Sequence, residues 1–320
     1  MMRGTAPRIT PFSASQLCKS ALLSVLHSLS ASCPSPLAKK TLRLFVKCSK
    51  NPIPLFTKES TMRQSLILAA LLLSSTFSTA AAGTLRVGAS PVPHAELLEF
   101  VKPLLAKQGV KLEIREFTDY VQPNVALADG SIDVNFFQHV PYLSSFQKNR
   151  PLGIVAGAKV HVEPMGVYSR RVKKLSELKT GATIALPNDP SNSGRALKLL
   201  ERAGLIRLRP SAGISATVRD ITTNLKRLKF RELEAAQLPR ALGDVDAAVI
   251  NTNYALEAGL NPLKDALKLE DKNSPYANVL AAKPATLKNP DYLKLVKALQ
   301  SKETRAFINK KYGGAIVPAF

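Results

Sequence analysis

The sequence predicts a two-lobed α/β fold with a ligand cleft between the lobes. Strand and helix patterns alternate from residue 84 to residue 136, and the same alternation begins again at Gly181. Alternation of this kind builds a parallel sheet with helices on both of its faces. A later strand pattern, at residues 276–281, follows the second unit and indicates a strand that crosses back to the first.

The first unit contains five predicted elements, each taken from its apolar periodicity. In chain order they are a strand, a helix, a strand, a helix and a strand, at residues 84–90, 94–107, 110–117, 120–128 and 132–136. The third of these strands runs directly into Gln138 and His139. The unit therefore has the strand–helix–strand rhythm of a parallel sheet.

The second unit repeats that rhythm. It contains a strand, a polar turn, a helix and a further strand, at residues 182–186, 187–192, 194–202 and 246–250. After the crossing strand, residues 290–312 have a helical pattern. We expect lobe 1 to comprise residues 84–163 and 272–320, and lobe 2 to comprise residues 164–271.

Three polar segments follow predicted strands, at residues 135–142, 187–195 and 251–254. In open parallel sheets, ligands bind beyond the carboxyl ends of the strands. We therefore expect these distant segments to meet in a single cleft between the lobes.

The residues before 84 are of two kinds. Residues 1–61 have no sustained period, and we interpret them as a mis-called start or a disordered extension. Residues 62–82 have a short basic start, an apolar block and small residues at the end, which is typical of a secretory signal peptide cleaved after Ala80 or Ala82. The alternatives are a eukaryotic transit extension and an internal core helix.

Cysteine usage and apolar runs limit the class of protein. Cys18, Cys33 and Cys48 all precede the predicted cleavage site, so residues 83–320 can form neither a disulfide nor a thiolate site. No cysteine stands at the cleavage site to carry a lipid, so we expect a soluble periplasmic protein without a lipid anchor. No apolar run approaches the roughly 20 residues that span a bilayer, which excludes a multi-pass membrane protein.

Charge and motifs exclude further classes. Residues 83–320 hold 35 Lys and Arg against 22 Asp and Glu, a net charge of +13, without the interleaved aromatic residues of a single-strand nucleic-acid site. No nucleophile elbow, phosphate loop or zinc-protease motif occurs, so we expect no enzyme and no cofactor. The four histidines show no close metal-ligand spacing, so we expect no metal site either.

Five motifs resemble the NlpA-type methionine-binding lipoproteins, and the similarity extends over residues 84–320. They are NFFQHVPYL at 135–143, PNDPSNSGR at 187–195, EAAQLPR at 234–240, INTNY at 250–254 and SPY at 274–276. The resemblance implies a type II-like periplasmic-binding-protein fold. It also implies a monomer, peripheral to the membrane, that captures methionine and delivers it to the permease and ATPase of an ABC importer.

Two groups of residues are candidates for the polar end of such a ligand. Residues 189–193 are rich in capping side chains and precede a helix, so their N–H groups are expected to face a ligand carboxylate. We expect Arg195 to grip that carboxylate through two parallel hydrogen bonds, with a surface or interlobe salt bridge as the alternative. Asn192 and Asn251 offer donors and acceptors to a zwitterion, unless they serve as turn or cap residues.

The candidates for the apolar end are Tyr120, Phe137, His139 and Tyr142, whose rings can enclose a thioether side chain. Each ring alone is also compatible with ordinary packing, and Phe136 is expected to point into the core. If the chain is a solute-binding protein, its ligand is methionine, another apolar amino acid or a methionine-containing dipeptide. An enzyme on the same two-lobed fold, such as one resembling porphobilinogen deaminase, is the alternative of another class, but that enzyme holds its cofactor through a cysteine.

Overall fold

Two β-sheets and the helices that cover them organise the computed structural model, which describes residues 83–271 and 274–320. The predicted extension at 1–61 and the predicted signal peptide at 62–82 lie outside the described residues.

The strands are short, and several of them are buried along their whole length. They are β1 (Gly83–Ala89), β2 (Val110–Glu116), β3 (Val134–His139), β4 (Val155–Val162), β5 (Gly166–Tyr168), β6 (Thr183–Pro187), β7 (Arg207–Leu208), β8 (Ile221–Thr223), β9 (Lys229–Leu233), β10 (Ala247–Ile250), β11 (Lys268–Leu269), β12 (Ala277–Ala282) and β13 (Val317–Pro318).

The α-helices are α1 (Glu96–Ala106), α2 (Gln122–Asp129), α3 (Val140–Gln147), α4 (Pro190–Arg202), α5 (Leu238–Ala241), α6 (Thr252–Glu257), α7 (Pro262–Asp265), α8 (Pro290–Leu299) and α9 (Lys302–Tyr312). None of the helices in residues 83–271 and 274–320 combines the length and the apolar character needed to cross a membrane.

Lobe 1 contains a six-stranded sheet in the order β13-β4-β12-β3-β1-β2. β1 pairs in parallel with β2 and β3, as the strand–helix alternation predicts. β12 then pairs antiparallel with both β3 and β4, so the sheet is mixed. β12 is the crossing strand, and it enters this sheet after the chain has built the second one.

Lobe 2 contains a five-stranded sheet in the order β11-β5-β10-β6-β9. The parallel strands β6, β9 and β10 form its centre and one edge, and β5 and β11 pair antiparallel on the other side. The chain passes from lobe 1 to lobe 2 between β4 and β5 and returns between β11 and β12. The fold is therefore two-lobed, with two segments joining the lobes.

Three details differ from the sequence prediction. β3 continues to His139 rather than ending at Phe136, because β12 pairs with it along its whole length and all six of its residues are buried. The helical pattern at 290–312 is two helices, since the Ser301 hydroxyl accepts a hydrogen bond from the Thr304 N–H and begins a new helix there. β4 was not predicted, because its buried and exposed residues do not alternate.

α4 packs very closely against the loop that precedes β8, and Gly194 permits this approach. A Cβ atom at Gly194 would collide with the Ile214 carbonyl oxygen and lie 2.9 Å from the Ala216 nitrogen. Both neighbours are backbone atoms, so a side-chain rotation cannot relieve the contact.

We therefore expect Gly194→Ala to lower the free energy of unfolding by about 1–3 kcal/mol, because added volume in a packed site forces the backbone apart. Gly243→Ala is the matched control, since its Cβ would meet no heavy atom within 4 Å, and it should cause no loss. Urea denaturation of both variants measures the difference. Equal stability of Gly194→Ala and the unchanged protein would contradict the close approach.

Candidate functional site

A cavity between the two sheets gathers side chains from both lobes and encloses about 320 Å³, part of it open to solvent. The cavity is lined by Tyr120, Phe137, Gln138, His139, Tyr142, Glu163, Asn192, Arg195, Asn251, Thr252, Asn253 and Asn278. All seven side chains predicted from the sequence are therefore brought together.

Three aromatic rings form one wall of the cavity. The Tyr120 ring centre lies 5.9 Å from that of Phe137 and 5.6 Å from that of Tyr142, and the last two are also 5.9 Å apart. The Tyr142 hydroxyl donates to the Tyr120 carbonyl oxygen at 2.8 Å, which fixes the ring. Phe136 points the other way into the core, as predicted.

His139 ends β3 and caps α3, because its Nδ1 accepts a hydrogen bond from the Tyr142 N–H at 3.1 Å. The proton is therefore on Nε2, which lies 3.2 Å from the Asn192 Oδ1 of the other lobe and donates to it. Burial and the nearby Arg195 lower the pKa of His139 to about 3. The neutral His139 ring lines the cavity and connects the two lobes, and it does not change its protonation near neutral pH.

Asn192 joins three other side chains. Its Nδ2 donates to the Asp189 carboxylate at 2.9 Å, and its Oδ1 accepts from His139 and, at 3.0 Å, from the Asn251 Nδ2. Both acceptor positions of Oδ1 are thus in use. The Asn192 N–H also donates to Asp189 at 2.8 Å, so this N–H of the helix start is not free for a ligand carboxylate, contrary to the prediction.

Arg195 is 3% exposed and makes a buried ion pair. Its Nε and Nη2 donate to the two Glu270 carboxylate oxygens at 3.1 and 2.5 Å, and Nη2 also donates to the Glu163 carbonyl oxygen at 2.7 Å. The guanidinium lies over the Tyr276 ring at 4.3 Å. Arg195 thus makes with Glu270 the two parallel hydrogen bonds that were predicted for a ligand carboxylate. Of the three guanidinium nitrogens, Nη1 has no hydrogen-bond partner among the described residues.

Two amide atoms beside the cavity are buried without a hydrogen-bond partner among the described residues. Oδ1 of Asn251 is an acceptor, and Nδ2 of Asn253 is a donor. The other ends of both amides are fixed, because the Asn251 Nδ2 donates to Asn192 and the Asn253 Oδ1 accepts from the Tyr120 hydroxyl at 2.6 Å. Buried polar groups normally have partners, so this pair indicates a ligand with both a donor and an acceptor.

Hydrogen bonds that cross between the lobes complete the cavity. The Tyr120 hydroxyl bonds to Asn253, His139 bonds to Asn192, and the Tyr254 hydroxyl donates to the Thr118 carbonyl oxygen at 3.1 Å. Outside this contact a wider groove of about 980 Å³ opens beside Tyr120 and Tyr142. The cavity is therefore the enclosed inner part of the interlobe cleft.

Glu163 is a buried carboxylate that lies at the first crossing between the lobes. The Nε2 atoms of His161 and His94 lie 2.7 and 3.2 Å from its Oε1. One ring nitrogen of His94, one of His161 and one carboxylate oxygen of Glu163 lie within 4.8 Å of one another. Two histidines that are distant in the sequence therefore meet here. Burial alone would raise the pKa of Glu163, but the two imidazoles lower it well below its usual range.

Five cavity residues were not predicted, namely Gln138, Glu163, Thr252, Asn253 and Asn278. Asn253 and Thr252 lie in the polar segment 251–254 that the sequence had indicated as a cluster. Glu163 had no such signal, because it follows a strand whose sequence does not alternate.

The comparisons with known proteins agree with this architecture. The family model of the NlpA lipoprotein matches residues 85–320. The chain belongs to the NlpA lipoprotein family. Among curated relatives, the membrane lipoprotein TpN32 of Treponema pallidum is 44% identical over 237 residues, which is 74% of this chain and 88% of the relative. The D-methionine-binding lipoprotein MetQ of Escherichia coli K12 is 45% identical over 213 residues, 66% of this chain and 79% of the relative.

A solved family structure shows the same fold. It is a nutrient binding protein from Burkholderia cenocepacia bound to methionine, 49% identical, with a TM-score of 0.72 over 74% of this chain and 100% of that one. The cited relatives are named as binding proteins or lipoproteins. Because the relatives include lipoproteins, they give no support to the expectation that this chain has no lipid anchor.

The ion pair of Arg195 with Glu270 yields a stability prediction. Glu270→Gln should lower the free energy of unfolding by about 3–5 kcal/mol, because it leaves a guanidinium buried without its counter-charge. Glu99→Gln removes an exposed carboxylate paired with Lys102 and should cost less than about 1 kcal/mol. Chemical denaturation near neutral pH compares the two. Similar small losses would show that the buried pair contributes little.

Proposed function

We propose that this chain is a non-enzymatic binding protein that captures free methionine in the cavity between its lobes. The observation that carries the proposal is the pair of unpartnered buried amide atoms, Asn251 Oδ1 and Asn253 Nδ2, beside Glu163. A zwitterion supplies both missing partners, and the aromatic wall suits an apolar side chain. The methionine in the Burkholderia cenocepacia relative supports the choice of ligand.

The polar end of the ligand would lie between two sets of groups. We assign its ammonium to Glu163 Oε2 and Asn251 Oδ1, which are acceptors. Its carboxylate would accept from Arg195 Nη1 and Asn253 Nδ2. Hydrogen bonds between charged groups are stronger than those between neutral ones, so the free amino acid should bind better than derivatives that lack either charge.

The apolar end would lie against Tyr120, Phe137 and Tyr142, with the neutral His139 beside them. A thioether gains a further favourable contact from aromatic ring edges. This supports methionine over another apolar amino acid.

Membership of the NlpA lipoprotein family supports a proposal for delivery and location. We propose that the protein acts in the periplasm, as a monomer peripheral to the membrane, and passes methionine to the permease and ATPase of an ABC importer. We place the lobe boundaries at 163/164 and 271/272. Mass spectrometry of the mature form tests the anchor: a free amino terminus near Gly83 supports a soluble protein, and an added lipid mass excludes it.

Calorimetric titration tests the ligand. L-Methionine should give a saturable heat at one site per chain, whereas glycyl-methionine should bind at least about tenfold more weakly, because the peptide bond removes the ammonium from Glu163. D-Methionine, which the name of the Escherichia coli relative contains, is the third ligand. Absence of heat with all three would exclude the proposal, and chemical alteration of recovered methionine would exclude a non-enzymatic role.

Asn251→Ala tests the polar contacts. It removes an acceptor from the ammonium and should weaken methionine binding by roughly 10- to 100-fold, which corresponds to a hydrogen bond to a charged group. Asn261→Ala is the matched control: Asn261 caps α7, lies outside the cavity and should leave affinity unchanged. If the two variants bind methionine equally well, Asn251 is not in the site.

A further inference from the structure

Three side-chain N–H groups converge on one oxygen of Glu163. His161 Nε2 lies 2.7 Å from Oε1, and His94 Nε2 and Asn278 Nδ2 each lie 3.2 Å from it. Glu163 Oε2 has no hydrogen-bond partner among the described residues, and Glu163 lines the cavity. The carboxylate is thus held on one side and free on the side of the ligand site.

The positions of the two imidazole protons follow from burial. Nδ1 of His94 and Nδ1 of His161 are both buried without a partner in the described part of the chain. A buried N–H without an acceptor is rarer than a buried acceptor without a donor, so we assign the proton of each ring to Nε2. His161 therefore donates to Glu163 Oε1, and the His94 Nε2–H lies between Glu163 Oε1 at 3.2 Å and Asn278 Oδ1 at 3.3 Å.

Packing fixes the orientation of these donors. The His94 ring meets Phe136 edge-on at 4.7 Å, the His161 ring meets Phe136 at 5.4 Å, and the two imidazoles are 5.0 Å apart. Both rings are 1% exposed or less. Rings held in this way keep their N–H groups directed at Glu163 without a loss of rotational freedom when a ligand binds.

The groups around Glu163 determine whether its buried carboxylate is ionised. Burial would favour a protonated Glu163, and the donors reverse this by stabilising the ionised form. Burial also lowers the pKa of His161, so this ring remains neutral. An ionised carboxylate that faces the cavity attracts a cation and does not attract a neutral amide.

We propose that His94 and His161 are positioning residues, which hold Glu163 ionised and turn its Oε2 toward the ammonium of the ligand. This inference rests on the proposed function and adds a pair of residues, outside the cavity, that set its preference for a cationic group. The role is an indirect one, since neither imidazole lines the cavity.

Other charged or titratable groups that face this cluster come from several elements. They are Arg195 with its partner Glu270, His139, Tyr120 and Tyr312. His139 stays neutral with its pKa near 3, and burial raises the pKa of Tyr120 and that of Tyr312. Between about pH 5 and about pH 7, Glu163 is therefore the group of this set whose charge depends on the donors.

A double-mutant cycle with L-methionine titrations near neutral pH tests the proposal. His161→Leu should weaken binding by roughly 10- to 100-fold, because Glu163 loses its shortest donor and takes up a proton more readily. In a Glu163→Gln background, His161→Leu should weaken methionine binding by less than about threefold, since no carboxylate remains to be held ionised. Equal losses in the two backgrounds would overturn the proposal.

The pH profile gives a second readout, which a purely structural role would not change. As pH falls from about 7 to about 5, affinity of the unchanged protein should stay flat, because its Glu163 remains ionised. Affinity of His161→Leu should fall by about tenfold per pH unit below the raised pKa of Glu163. A flat profile for His161→Leu would overturn the proposal.

His161→Gln is the matched variant, because the N–H of the Gln side chain reaches a similar position. This variant should bind methionine with most of the affinity of the unchanged protein. Affinity as low as that of His161→Leu would count against donation by the His161 ring. His94→Leu and His94→Gln repeat the comparison for the second ring, and thermal melts confirm that each variant is folded. If the unchanged protein binds no methionine, the proposed function fails; if it binds and the cycle shows no coupling, this inference alone fails.

Discussion

The structure depends on the partners of two carboxylates that are buried at the junction between the lobes. Glu270 is paired with Arg195, and Glu163 is held by His94 and His161. Taking a charge out of water costs several kcal/mol unless partners compensate, so each of these residues constrains its neighbours. The cavity exists where these compensated charges meet, because the chain crosses between lobes next to Glu163 and close to Glu270.

The aromatic wall and the polar groups have different structural origins. The rings come from β3, α3 and the segment before α2, all in lobe 1, whereas Asn192, Arg195 and Asn253 come from the helices of lobe 2. A ligand with one apolar and one zwitterionic end therefore contacts both lobes.

Much of the fold could be predicted from the sequence because local patterns encode it. The alternation around β1, α1 and β2 predicts parallel pairing, and the capping residues at 189–193 predict a helix there, although α4 begins at Pro190 rather than at Gly194. Seven of the cavity residues could be predicted from the sequence because each follows a strand or lies in a long motif. Asn192 shows the limit of this reasoning, since its amide is used by Asp189, His139 and Asn251 within the protein.

The remaining features depend on contacts between distant residues, which no local pattern records. Glu270 accepts the hydrogen bonds of Arg195 that were predicted for a ligand carboxylate. No residue near Arg195 in the sequence indicates this ion pair. His94 and His161 meet because β4 and the turn before α1 approach the same carboxylate. Spacing along the chain made the histidines look unrelated, although their rings are neighbours.

The hydrogen bonds between Tyr120 and Asn253 and between His139 and Asn192 use the same side chains that enclose the cavity. Separation of the lobes would break these bonds and widen the opening of the cavity. Release of a bound molecule would then be coupled to a hinge motion of the whole protein, without competition for any contact in the site.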